Sequence, residues 1–461
     1  MNTIWSPDLS DGASGPKYQV LLRKLRCAVD TGDLPVGHRL PPVRELAFQI
    51  GVTPGTVARA YRTAVEEGLL EARVGRGTFV AGAGMAEVRL DPPLYDAAPD
   101  GIVDCRSVQV PDVGQSPALE ELWQRASTEG ILNYPVDEDD AAFRSAVIDL
   151  VGQAHLGVAD ADDVTVSFGA QHGVLLVLQH LIAGPHPAIL TEDLSYPGVR
   201  RAAALQRAAV RGVAMDQHGL IPEALDEACF KTGAQILVTS AEVHTPTTIR
   251  TPDWRKAQLV EVARKHRLHI VEDDCHRLAD AGAPSYRKLY PERSWYVGSL
   301  SKSVASGLRL GYIVGPRGDG PGQRRAAAAN FYGIPTPFIR YGELILTSGL
   351  AEQTRAKVLE ATRTRVGLAM SRLGHWRIDS RPEVPFVWLT LPSGWRAARF
   401  LVACESAGIR IKPADEFALS DTGAPHAVRL TVNARMPDSA FSDAMARIDG
   451  LLARPPHDME G

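Results

Sequence analysis

Lys302 lies in the run Tyr296-Val297-Gly298-Ser299-Leu300-Ser301-Lys302-Ser303-Val304-Ala305-Ser306-Gly307-Leu308-Arg309. An apolar, strand-like segment there feeds a turn of small residues, and an arginine follows seven positions after the lysine. An amine beside hydroxyls and a guanidinium is the set that pyridoxal phosphate requires. The amine forms a Schiff base with the aldehyde, and the other groups hold the phosphate. Small side chains let the cofactor come close to the backbone. Taken alone, Ser-x-Ser-Lys equally describes an ordinary strand-to-turn junction with a surface lysine.

Three further stretches supply what such a lysine needs. Val164 to Phe168 reads as a strand, followed by Gly169-Ala170-Gln171 and a helix, so backbone N–H groups at the helix start can receive a phosphate. Glu192-Asp193-Leu194-Ser195-Tyr196-Pro197-Gly198 puts an aromatic just after a strand, where it can stack on a pyridine ring or simply pack. His269-Ile270-Val271-Glu272-Asp273-Asp274 ends a strand on three carboxylates. An electron-withdrawing ring needs an anion at its nitrogen, and a strand-end aspartate is rigid enough; a solvated acidic turn is the alternative. Asp273 and Lys302 are 29 residues apart, room for a helix or loop and one more strand.

The elements that must position these residues follow from the alternation of short apolar strands with helical stretches. Strands are expected at Val164–Phe168, Ala188–Thr191, Ile236–Ser240, His269–Glu272, Trp295–Val297 and Leu310–Val314. This is an α/β sheet, with ligands at the carboxyl ends of its strands. A helix from about Glu343 and then a smaller α+β unit complete the chain.

Ahead of that body, Tyr18 to Val29 carries a helical apolar stripe, and Pro41-Pro42 opens a second helix that Gly51 ends. Thr53 caps a third helix beginning at Pro54 and running to about Glu67. Leu69–Val74 and Thr78–Val80, joined through Gly75–Gly77, read as a hairpin. Helix, short helix, turn, helix and hairpin is the order of a winged helix-turn-helix, with 54–67 as recognition helix. Ten Lys/Arg against six Asp/Glu between Lys17 and Val80 leave −8 for the rest of a chain of net charge −4, so a polyanion suits the head.

The 461 residues, 45% hydrophobic and 23% charged, are those of a soluble multidomain protein. No apolar run approaches the ~18 residues of a membrane helix, no secretory signal is expected, and no metal-like pairing links the five scattered cysteines. A cytoplasmic location is expected. The domains expected are a lead-in (1–17), a DNA-binding head (18–81), a linker rich in Gly, Ala, Pro and Asp (82–103), and a body (104–461). The body divides into a large subdomain of about 104–342 and a small one of about 343–461.

Residues 18–81 resemble the GntR-type DNA-binding domain through Leu40-Pro41-Pro42-Val43-Arg44-Glu45-Leu46-Ala47, Gly51-Val52-Thr53, Thr56-Val57, Ala60-Tyr61, Glu67-Gly68-Leu69 and Gly75–Val80. The resemblance implies that Arg44, Thr53, Thr56, Arg59 and Arg76 face double-stranded DNA, with Arg59 suited to base edges and the others to phosphates. Val43 replaces the usual serine. A small three-helix domain that binds protein is the alternative.

The body resembles the fold-type I aminotransferase domain, and the whole chain resembles the MocR/GabR family of transcriptional regulators. That resemblance implies pyridoxal 5′-phosphate on Lys302, Asp273 at the ring nitrogen and Tyr196 on the ring. Gly169, Ala170, Gln171, Ser299, Ser301 and Arg309 would hold the phosphate, with Tyr134 reaching it from the second subunit of a homodimer. Arg429 matches the arginine that clamps a substrate carboxylate. Cys275 stands where the family usually has tyrosine, and Thr245 where aminotransferases often have asparagine. Both positions normally address the cofactor's phenolic oxygen. The expected function is a regulator whose body senses an amino compound through exchange of the Lys302 Schiff base. The alternatives are a working aminotransferase with an accessory head, a repressor that has lost the cofactor, and a regulator for which the cofactor itself is the signal.

Overall fold

The computed structural model describes Trp5, Pro7 and residues 17–456, apart from 36, 67–68, 74–76, 81–95, 97, 100, 127–130, 185–186, 280–281, 420–422 and 433–435. The chain forms two compact units, Met1–Pro93 and Leu94–Gly461.

In the first unit, helix α1 (Lys17–Asp30) turns Leu21, Leu25 and Ala28 inward at helical spacing. They meet Leu46 and Ala47 of α2 (Val43–Gln49) and Val57, Ala60, Tyr61 and Ala64 of α3 (Pro54–Glu66). Each leucine so buried contributes about 1.5–3 kcal/mol. The α3 start is fixed as its sequence dictates. Pro54 has no N–H to leave unpaired, and Thr53 Oγ accepts the Thr56 N–H at 3.3 Å. Strands β1 (Leu70–Arg73) and β2 (Gly77–Val80) pair antiparallel and close the unit, while Tyr61 donates its hydroxyl to Pro41 O at 3.0 Å.

The second unit begins its pairing with β3 (Val103–Asp104). Its large sheet contains β4 (Val164–Ser167), β5 (Ala188–Glu192), β6 (Ala209–Val213), β7 (Ile236–Thr239), β8 (His269–Asp273), β9 (Ser294–Ser299) and β10 (Gly311–Val314). Their order is β4-β10-β9-β8-β7-β5-β6. All run parallel except β10, which lies antiparallel between β4 and β9. Helix α4 (Ala170–Leu181) follows β4, and α5 (Pro197–Leu205) follows β5. Strands β4, β7, β9 and β10 are buried along their whole length, as layers on both faces require.

Helices α6 (Thr336–Thr347) and α7 (Leu350–Leu373) lead to a second sheet. Where one helix from about Glu343 is expected, two are found, parted by Gly349 at φ 78°. The second sheet contains β11 (Ile378–Asp379), β12 (Phe386–Thr390), β14 (Lys412–Pro413) and β15 (Ala427–Thr431), in the order β11-β12-β15-β14. Strand β13 (Ile409–Arg410), just before β14, pairs parallel with β3. A core of Val387, Leu389, Phe400, Val428, Leu430 and Phe441 joins this sheet to its helices. No helix among the described residues is long and apolar enough to cross a membrane.

Candidate cofactor and ligand site

Because β4, β5, β7, β8 and β9 run parallel, their carboxyl ends fall along one edge of the sheet. A cavity of about 580 Å³ opens there, and Lys302, Asp273, Tyr196, Ala170, Gln171, Thr245, Ser299, Ser301, Arg309 and Arg429 all line it. Residues spread over 260 positions of sequence are thus brought to one place.

Lys302 follows β9 through a short turn. Ser299 Oγ ties that turn down, donating to Leu310 O at 3.0 Å and accepting the Ser301 N–H at 3.1 Å. The lysine amine donates to Val108 O at 2.5 Å. Burial disfavours its charge and lowers its pKa to about 8, with Arg429 and Arg309 adding to the shift and Asp273 opposing it. An amine near its pKa at neutral pH holds a usable share of nucleophile.

The same cavity carries an anion cradle. Gly169 precedes α4 at φ 80°, ψ 171°, a conformation essentially reserved for glycine. Ala170 and Gln171, in the first turn of α4, line the cavity, and N–H groups of a first turn have no partner within their helix. Arg309 reaches across from the loop before β10, donating to Phe168 O at 3.2 Å and to Ser301 Oγ at 3.4 Å. Gln171 Nε2 donates to Gly198 O at 3.0 Å, holding the start of α5 beside Tyr196. Burial raises the Tyr196 hydroxyl to about 12, so the ring faces the cavity neutral.

Asp273, the last residue of β8, accepts the Cys275 N–H at 3.1 Å. Burial raises its pKa, the Cys275 contacts opposing the shift. A carboxylate in that state calls for a cationic donor. The set therefore fits pyridoxal phosphate on three counts. A half-buried amine stands ready, a glycine-dependent cradle offers donors to an anion, and a half-buried carboxylate has capacity for a protonated ring nitrogen. Cys275 and Thr245 also line the cavity; burial pushes the thiol well above its usual pKa, so it remains protonated.

Arg429, on β15, is buried with its guanidinium 5.2 Å from the Phe386 ring and 4.9 Å from the Phe417 ring. It donates to Arg106 O, and burial lowers its pKa to about 10. Tyr134 does not line the cavity of its own chain. It is 77% exposed and stacks on Tyr332 at 5.3 Å.

Several lining residues carry no sequence signal. Ser107, Val108 and Gln109 form a wall that meets Lys302 across 194 positions. His276 borders the cavity, its imidazole held neutral by burial and by the nearby cations Lys302 and Arg429. Lys412 enters from the second sheet and Phe417 from the turn that follows that strand.

In the head, Arg44, Thr53 and Arg59 are exposed and Thr56 is half-buried. The Thr53 and Thr56 hydroxyls hydrogen-bond at 3.0 Å. The Arg59 guanidinium lies 4.0 Å from the centre of the Tyr18 ring, linking α3 to α1. Arg76 lies outside the described residues.

The sequence profile "Aminotransferase class I and II" matches residues 107–448, and "Bacterial regulatory proteins, gntR family" matches residues 17–80. Over 446 residues the chain is 24% identical to the uncharacterized HTH-type transcriptional regulator YdeF of Bacillus subtilis, covering 93% of this chain and 92% of the relative. It is 24% identical to the probable rhizopine catabolism regulatory protein MocR of Rhizobium meliloti, covering 80% of each. Among solved structures, the α-aminoadipate aminotransferase LysN of Thermus thermophilus superposes with a TM-score of 0.68 at 22% identity, covering 77% of this chain and 92% of that one. An archaeal alanine:glyoxylate aminotransferase superposes with a TM-score of 0.69 at 18% identity, covering 76% and 91%. These likenesses establish the body's fold. The chain belongs to the aminotransferase class I and II family and carries ahead of that domain a gntR-family helix-turn-helix, the arrangement of the MocR-type regulators that are its homologues.

Proposed function

We propose that this protein is a DNA-binding transcriptional regulator whose body holds pyridoxal phosphate on Lys302 and senses an amino compound there. The observation that carries the reading is the convergence of Lys302, Asp273, Ala170 and Arg309 on one cavity, with Gly169 packed against Arg309. When bound, the cofactor supplies an aldehyde carbon at which one amine can replace another. Lys302, with its pKa near 8, would present a neutral amine to that carbon, and Val108 O accepts its N–H in the free form. Arg309, Ser301 and the α4 N-terminus would hold the phosphate, while Tyr196 and Asp273 would fix the ring. Arg429, locked between two phenylalanine rings, orients a carboxylate on the incoming amine.

Two residues favour sensing over turnover. Thr245 and Cys275 stand where asparagine and tyrosine are usual, and the thiol is a weak, protonated donor. The head reads DNA through α3, and one such head meets a half-site, so the working unit is a homodimer. Tyr134, exposed beside Tyr332 and outside its own cavity, would supply its hydroxyl to the phosphate of a second copy. For binding to alter DNA affinity, the amine must differ in affinity between two arrangements of the protein.

The test is the visible absorption of the purified protein, with added pyridoxal phosphate, titrated with amino acids. A lysine-linked band that an amino acid shifts stably, with a parallel change in DNA affinity, supports the regulator. A band that bleaches and is restored by a keto acid makes the protein an aminotransferase. No band at all leaves the body as a dimerisation module.

A further inference from the structure

The wall of the cavity contributed by the second sheet carries two cations. Lys412 and Arg429 are directly opposite each other across the antiparallel β14–β15 ladder. Directly opposite residues leave the same face of a sheet, and both of these line the cavity. Like charges in that relation destabilise the pairing of their strands. Burial lowers the pKa of both residues, and Arg429 adds to the lowering at Lys412.

Among the described residues, Glu416 is the carboxylate that opposes the lowering at both Lys412 and Arg429. Arg429 Nε is buried and has no hydrogen-bond partner among the described residues. Lys412 Nζ stands 3.1 Å from Glu416 Oε2, a contact between positions four apart. The two partners are unlike. The Lys412 side chain is 13% exposed and lines the cavity, while that of Glu416 is 45% exposed. An ion pair with one member so open to water is weakly held and exchanges readily for another carboxylate.

We propose that the amino compound sensed here is an amino dicarboxylic acid, with one carboxylate on Arg429 and the second on Lys412, Glu416 turning out to solvent. This rests on the sensor reading above. A single carboxylate satisfies Arg429 and leaves Lys412 unchanged. A second carboxylate meets Lys412 on its cavity side, where burial makes the attraction stronger than the rim contact it replaces.

The test uses the full-length protein loaded with pyridoxal phosphate and compares near-isosteric pairs, L-glutamate against L-glutamine and L-aspartate against L-asparagine. Dissociation constants come from the spectral titration and from the ligand concentration that shifts DNA binding. The expected result is that at least one acid binds about tenfold or more tightly than its amide, since one charge-assisted contact is of that order. Lys412→Met should bring the acid-to-amide ratio close to one, and Lys412→Arg should restore it. The intact cofactor band reports that each variant is folded. Amides that bind as well as acids, or a Lys412→Met ratio equal to that of the unaltered protein, overturn the proposal and leave the sensor reading standing. Failure of every amine to shift the spectrum overturns both.

Discussion

Gly169 and Arg309 occupy adjoining space so closely that a β-carbon on Gly169 would stand 2.6 Å from Arg309 Nη2. The guanidinium can lie over the start of α4 only because that residue has no side chain. Gly169→Ala faces a second obstacle in its backbone, since φ 80°, ψ 171° costs a non-glycine residue about 1–3 kcal/mol. The variant should bind pyridoxal phosphate about tenfold or more weakly, with a lower melting temperature even without cofactor. Fluorescence titration and thermal melts check this. Unchanged cofactor affinity would remove the Gly169–Arg309 pair from the phosphate site.

Lys302 makes a prediction in pH. Its folded pKa, about 8, lies below the ~10.4 of an unfolded lysine. Between those values the unfolded chain binds the extra proton, so the Lys302 contribution to stability rises with pH across the window. The cost of burying its charge is fully present below about pH 8. The linkage is worth on the order of 3 kcal/mol at most. Lys302→Met should lack this slope, being more stable than the parent apoprotein at about pH 7.5 and matching it more nearly at about pH 10. Urea midpoints at the two pH values decide it, and parallel profiles would place the amine in water rather than in the cavity.

Much of the site is legible in the amino-acid sequence, because its residues sit at strand ends and a strand end announces itself locally. Asp273 closes an apolar run, Ser299 closes another, and Gly169 follows a third. The parts that are not legible there depend on contacts between distant segments. Val108 meets Lys302 across 194 residues, and Lys412 joins Arg429 only through strand register. Strand Ala209–Val213 lies at the sheet edge with alternating exposure, and an arginine and a glycine interrupt its apolar pattern. The six expected strands are all present. Their order, with Gly311–Val314 antiparallel between two others, is a tertiary choice that no periodicity encodes.

Lys256 is wholly buried and donates to Glu242 Oε1 and, at 3.0 Å, to Pro284 O. Glu242 is buried too, with Arg250 on its other oxygen at 3.1 Å. Removing one partner of a buried pair strands the other charge, at about 3–5 kcal/mol; the half-exposed Arg250 keeps the cost near the lower figure. Lys256→Met should therefore lower stability substantially. Glu242→Leu added to it should recover part of the loss, because the Glu242 carboxylate is then no longer buried without Lys256, while Glu272, buried nearby, still loses that cation. Denaturant unfolding of the single and double variants gives the comparison. Additive losses would mean that packing, not charge, holds this corner.

Arg59 and Tyr18 give the prediction for the head. The guanidinium lies 4.0 Å from the ring centre, a cation–π contact between the recognition helix and α1 worth about 0.5–1 kcal/mol at an exposed site. Such a contact limits the orientations of the guanidinium and favours a fixed donor fork at a base edge. Arg59→Ala should cost about 1–3 kcal/mol of specific DNA binding. Tyr18→Leu should cost less, since the arginine remains but must be ordered on binding. Neither variant should change affinity for random duplex at the same salt, because a base contact adds nothing there. An operator selected from random duplexes supplies the specific site, and titrations with each variant complete the test. Equal losses on operator and random DNA would assign Arg59 to the phosphate backbone instead.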